Sequence, residues 1–150
     1  MNKINYENKI KSLLRPLSRE FCVRFALYCA KDSRQYADPK DLALIDKALD
    51  LVEKWLKDKD SVTQQELIDV ADVAYAEHVT NAAAYAVNTA AYAADAAVYA
   101  TNAADYAAYT AVYAAIYVAD NQNKLKQHYE YLLGMINGLT RLEKVIYGVT

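Results

Sequence analysis

Apolar residues recur at helical spacing through the first half of the chain. Leu42, Ile45, Leu49, Val52 and Leu56 follow in steps of three and four, with Trp55 beside them, so one face of this segment is apolar. Asp38 is placed to cap it, and Pro39 takes the first helical position, where its missing N–H has no consequence. Asp41 sits favourably near the positive helix end. The pattern predicts an amphipathic helix of about 18 residues, closed by Lys57-Asp58-Lys59-Asp60. Upstream, Ile4, Ile10, Leu13, Leu14 and Leu17 predict a short helix interrupted near Pro16. Ser18 then caps a second, whose buried face is Phe21, Cys22, Phe25, Ala26 and Cys29. Polar residues from Lys31 to Asp38 end it. Two overlapping capping boxes, Ser61-x-x-Gln64 and Thr63-x-x-Glu66, start a further helix.

From Ala71 to Ala119 the pattern changes, with 22 Ala and eight Tyr in 49 residues. Alanine is the strongest helix former, so this region is also helical. Tyr85, Tyr92, Tyr99, Tyr106 and Tyr113 recur every seventh residue, and Asn81, Asn88, Asp95, Asn102 and Tyr109 recur at the same period between them. Together they form one stripe. Residues 80–100 match 101–121 at 11 of 21 positions, an internal repeat. A single helix from 63 to 119 would run about 85 Å, far beyond a compact domain of about 15 Å radius of gyration. Helices broken near Thr80-Asn81 and Thr101-Asn102, whose side chains can cap, pack more easily. Asp120-Asn121-Gln122-Asn123 reads as another break. The next helix runs from Lys124 to Asn137, with Gly138 as its stop and a last turn from Leu139 to Tyr147.

The expected architecture is all-α: one domain over residues 1–150, a compact bundle of about six or seven helices containing the Ala/Tyr-rich repeats at 71–121. With three Gly and two Pro in the chain, turns are too few for a sheet protein. The longest central run without a charge or amide, Tyr106 to Ala119, is 14 residues, short of the roughly 20 that a membrane span needs. The N-terminal residues lack a secretory core, and Cys22 and Cys29 lie about 10 Å apart on a helix, too far for a disulfide. Reduced thiols and the absent leader point to the cytoplasm.

Net charge is −2, unevenly spread. Between Asp60 and Asn123 there is no Lys or Arg, and eight acids, Asp95 and Asp105 among them, give this segment −8 against +6 in the flanks. Either basic end helices fold over the acidic middle, or that middle offers an acidic face to a basic partner.

Catalytic signals are absent. His78 and His128 belong to no metal or nucleophile motif, and no glycine-rich phosphate loop occurs, so neither an enzyme nor a bound cofactor or metal is expected. Thr80, Thr89, Thr101 and Thr110, at spacings of 9, 12 and 9, do not make a regular ice-binding face. The distinctive chemistry is the tyrosine stripe beside small alanines. Tyr109, Tyr113 and Tyr117, spaced by four, gather their rings on one side of a helix, and tyrosine gives contact area at low entropic cost. With Asp95, Asn102 and Asp105 they form a candidate binding surface.

In Arg24-Phe25-Ala26 with Cys29-Ala30, Ala48 to Trp55-Leu56, the Ser61-Val62 to Glu66-Leu67 restart and the Ala-rich repeats through Ala119, the chain resembles a family of immunity proteins. This is the Ala-rich "immunity protein five-like" group of bacteria and phage genomes. It departs after Trp55, where Lys57-Asp58-Lys59 stands in place of an expected glycine. The resemblance implies an inhibitory or protective role, with a basic toxin or defence protein as partner. Tyr, Asn and Lys in place of Ala and Arg suggest an AT-rich source such as a phage. An alternative is a sponge for a nucleotide-like small molecule in a Tyr-lined pocket, with cations from Arg19, Arg24 or Arg34, Arg24 foremost because it adjoins the Phe21/Phe25 face. A self-associating structural protein is a third reading. Membrane and nucleic acid are not expected partners.

Overall fold

The computed structural model describes residues 5–76, 82–99, 102–115, 121–139 and 141–147, with only the backbone described at 75–76 and 82–86. The fold is all-α. Among the described residues eight helices run in the order α1 (Tyr6–Leu14), α2 (Arg19–Ser33), α3 (Leu42–Lys57), α4 (Gln64–Ala76), α5 (Ala82–Val98), α6 (Ala103–Ala115), α7 (Asn121–Asn137) and α8 (Arg141–Tyr147). Short 3-10 turns at Arg34–Tyr36, Pro39–Asp41 and Lys59–Ser61 join the early helices. Among the described residues no helix is long and apolar enough to cross a membrane.

The alanine-rich segment forms the centre of the molecule. Helix α5 packs on α2, α3, α4 and α6, and Ala90, Ala91, Ala93, Ala94, Ala96 and Ala97 are all buried. A helix that is apolar on every side has to be enclosed, and methyl side chains let its neighbours approach closely. The large side chains come from the surrounding helices, notably Phe21 and Phe25 of α2, Ile45 and Val52 of α3 and Leu67 of α4. One buried polar contact pins the centre: the Ser33 and Thr89 hydroxyls lie 2.7 Å apart, and Ser33 also donates to the Ala30 carbonyl. Thr89 and Thr110 are both buried, so neither lies on an outer face; Thr80 and Thr101 lie outside the described residues.

Helix boundaries follow their capping chemistry. The Ser18 hydroxyl accepts from Phe21 N–H and starts α2. Of the two overlapping capping boxes, the fold uses the second. Thr63 accepts from Glu66 N–H and the Glu66 carboxylate accepts from Thr63 N–H, each at 3.1 Å, whereas Ser61 donates back to the Asp58 carbonyl. Asp38 caps as expected, but onto a 3-10 turn: Asp41 N–H bonds the Asp38 carbonyl at 2.9 Å, and the α-helix begins at Leu42. Helix α7 begins at Asn121, not Lys124, because Asn121, Gln122 and Asn123 are exposed and form its first turn. The segment after Gly138 is a helix of its own, α8, so the helix number exceeds six or seven.

The repeat is broken where the second threonine-asparagine pair stands. Helix α5 ends at Val98, Asn102 N–H bonds the Tyr99 carbonyl, and α6 returns along α5 as an antiparallel hairpin. The expected break at Thr80-Asn81 lies outside the described residues. Cys22 and Cys29 are free and buried; burial pushes the Cys22 thiol up to about 12 and that of Cys29 well above its ordinary value. Both are unreactive packing residues.

Candidate partner-binding groove

The hairpin folds the tyrosine stripe onto itself. Tyr92 stacks on Tyr113 with centroids 5.1 Å apart and lies 6.0 Å from Tyr109 and 6.2 Å from Tyr106, while Tyr99 meets Tyr106 at 5.7 Å. Lys11 of α1 sits 4.9 Å over the Tyr109 ring. Burial first, then the hydrogen bond with Tyr113, raises the Tyr92 hydroxyl above its ordinary pKa, with nearby Asp95 acting in the same direction. Tyr92, Tyr106, Tyr109 and Tyr113 are half-buried and pack on one another. Tyr109 and Tyr113 belong with Tyr92 in a single cluster, and Tyr99 is the outer member at 41% exposure. Tyr117 lies outside the described residues.

The remaining sequence candidates are dispersed. Asp95 is only 8% exposed, so it does not contribute to an acidic outer face, and the alanine wall beside it is core. Asn102 is exposed in the α5–α6 connection, and Asp105 is half-buried in the first turn of α6. Arg24 points outward, 3.8 Å from Glu20 and 5.4 Å over the Tyr147 ring, where it helps to hold α8. Arg34 is engaged by both oxygens of Asp46 at 2.6 and 2.8 Å.

Among the described residues, charge pairs join flank to flank: Lys31 with Glu53, Lys59 with Glu20, Lys124 with Asp32. Among the described residues no salt bridge reaches Glu66, Asp69, Asp72 or Asp105. Glu66 and Asp69 border an open groove of about 670 Å³ between α3 and α4. Its floor is apolar: Ala43, Leu44, Leu51, Val70 and Val73. Its rim carries Asp46, Asp50, Glu66 and Asp69 against Lys47 and Lys54. Val73 is 54% exposed at the lip. Sequence reasoning missed this site. The available signal was Leu44 and Leu51, apolar positions one residue off the Ile45/Leu49/Val52 stripe that faces the core.

The family of this chain follows from a comparison over most of its length. Residues 2–138 match a family of unknown function, DUF6931. The chain belongs to the DUF6931 family. Neither a curated protein nor a solved structure matches it. The DUF6931 match includes both walls of the groove and the tyrosine hairpin, and stops before α8.

A second polar cluster ties α7 to this DUF6931 core. His128 is 1% exposed, with Nδ1 3.2 Å from the Ala111 carbonyl of α6 and Nε2 3.3 Å from Asp32 Oδ2 of α2. Lys124 holds the same carboxylate oxygen at 2.7 Å, and Tyr28, stacked on Tyr131 at 3.4 Å, closes the side. A neutral imidazole has one N–H and so can donate to only one of its two acceptors, whereas the cation could donate to both. Burial outweighs this, with Asp32 opposing, and the His128 pKa is lowered. A lowered histidine pKa means that the unfolded chain binds the extra proton first as pH falls. Stability should therefore decline as pH falls from the ordinary histidine value near 6.5 towards the depressed native one. Thermal melts of wild type and His128→Gln across this range should show a steeper decline in wild type; parallel curves would remove His128 as the source.

Proposed function

We propose that the protein is a non-enzymatic, cytoplasmic binding protein that holds a basic amphipathic helix of a partner protein in the α3–α4 groove. Such a role suits an inhibitor of the immunity or anti-defence type. The observation that carries this reading is the groove itself, an apolar floor bordered by Glu66 and Asp69, which form no salt bridge among the described residues. An amphipathic helix binds such a groove through side chains three, four and seven apart. Its lysines and arginines would meet Asp50, Glu66 and Asp69 at the rim, where complementary charge mainly speeds association and sets specificity. This assigns the acidic partner-facing role to α3 and α4, and leaves the tyrosine cluster as a support for the hairpin.

The test is co-purification from host lysate at low salt, followed by affinity measurements with the recovered partner. Val73→Asp places a charge on the apolar lip, and Asp69→Lys reverses the rim. Both residues are exposed, so each variant should fold within about 0.5 kcal/mol of wild type. Each should weaken partner binding by about tenfold or more, and wild-type binding should fall as salt rises. Unchanged affinity in both variants would reject the groove. Light scattering distinguishes a second copy of the chain in the same role: a dimer dispersed by Val73→Asp would replace the foreign partner with self-association.

A further inference from the structure

Two clefts meet at Arg19, and they share no lining residue with the α3–α4 groove. The first, about 230 Å³, is lined by Arg15, Leu17, Arg19, Cys22 and the first turn of α6, Ala103 to Asp105. The second, about 310 Å³, is lined by Arg19, Trp55, Lys59, Asp60, Gln64 and the nearly buried Val62 and Val98. We propose that the paired clefts bind a phosphomonoester carrying a heterocyclic body, the chemistry of a nucleoside monophosphate. This inference is independent of the partner groove.

The cations are the starting point. Arg24 and Arg34 have carboxylate partners, but among the described residues Arg15 and Arg19 form no salt bridge, although Asp105 lines the same cleft. Four residues apart across the Pro16 turn, both arginines line the first small cavity, and Arg19 also lines the second. A guanidinium fork matches phosphate geometry, and a pair of them suits a dianion. Arg19 is also orientated. Its guanidinium lies 5.2 Å over the indole of Trp55, which Lys59 approaches at 5.6 Å while bonded to Glu20 at 2.9 Å. Arg19 thus sits between the clefts with part of its conformational freedom already removed.

The second cleft supplies the remainder of the ligand site. Asp60 accepts from an exocyclic amino group and Gln64 can donate or accept, beside the small exposed edges of Val62 and Val98. Asp105 repels the phosphate in part. It already answers the positive end of α6, so the guanidiniums, not the helix terminus, hold the anion.

Trp55 is the single tryptophan of the chain, so its emission reports on this site alone. Wild-type protein is titrated with adenosine monophosphate, inorganic phosphate and adenosine, reading Trp55 emission and melting temperature. The monophosphate should give a saturable change and a higher melting temperature, and bind at least about tenfold more tightly than either fragment. Arg15 is exposed, so Arg15→Gln should stay folded and lose about tenfold or more in affinity; Asp105→Asn should bind more tightly. The proposal falls if no saturable change occurs up to ~10 mM, or if Arg15→Gln binds as wild type does. Inorganic phosphate binding as tightly as the monophosphate would remove the heterocycle, and adenosine binding as tightly would remove the guanidiniums.

Discussion

Ala94→Leu is expected to destabilise the protein by about 3 kcal/mol, lowering its melting temperature by roughly 10 °C. Ala94 is fully buried on α5, the helix that four others enclose. Three added carbons have no space unless a neighbouring helix moves, and close-packed interiors resist such shifts. The same change at Ala43, exposed on α3, should stay within about 0.5 kcal/mol and serves as the control. Denaturant melts of the two variants decide the point. Equal effects would mean that the alanines of α5 are not what sets the distance between its neighbours.

Tyr92→Ala is expected to cost about 3 kcal/mol, with Tyr113→Ala close behind, because the two rings stack and share a hydrogen bond across the α5–α6 hairpin. Removing either leaves the other with a lost partner in a half-buried site. The double variant should therefore be less destabilised than the two single effects added together, by about 1 kcal/mol. Tyr99→Ala, at the outer end of the cluster, should cost no more than about 1 kcal/mol. Chemical denaturation of the Tyr92/Tyr113 double-mutant cycle, with Tyr99→Ala alongside, measures these effects. Strict additivity of Tyr92→Ala and Tyr113→Ala would show that the rings are not coupled.

These expectations divide according to what could be read in one dimension. The capping residues Ser18, Asp38 and Thr63 and the buried faces of α2 and α3 were legible, because a cap or a three-and-four spacing involves residues within one or two turns of each other. The seven-residue tyrosine period was equally visible, but its meaning was not. On a straight helix it is an outward stripe. Once the chain turns between Val98 and Ala103, the same residues face each other as Tyr92 with Tyr113 and Tyr99 with Tyr106. Asp95 illustrates the limit: its charge is evident in the composition, whereas its burial follows only from the helices that close over α5.

By itself, the sequence determined that this protein is helical, where most of its helices start, and that its middle carries acid without base. Helix propensity, capping and charge content are properties of short stretches and survive any arrangement of the helices. The tertiary structure alone decided that α5 is central, that the groove lies between α3 and α4, and that Arg15 and Arg19 meet Trp55, Lys59 and Asp105 around two clefts. Those sites are built from residues tens of positions apart, and no local pattern records which helix faces will be brought together. Packing selects that arrangement, through the close approach that alanine permits along α5 and the large side chains its neighbours supply.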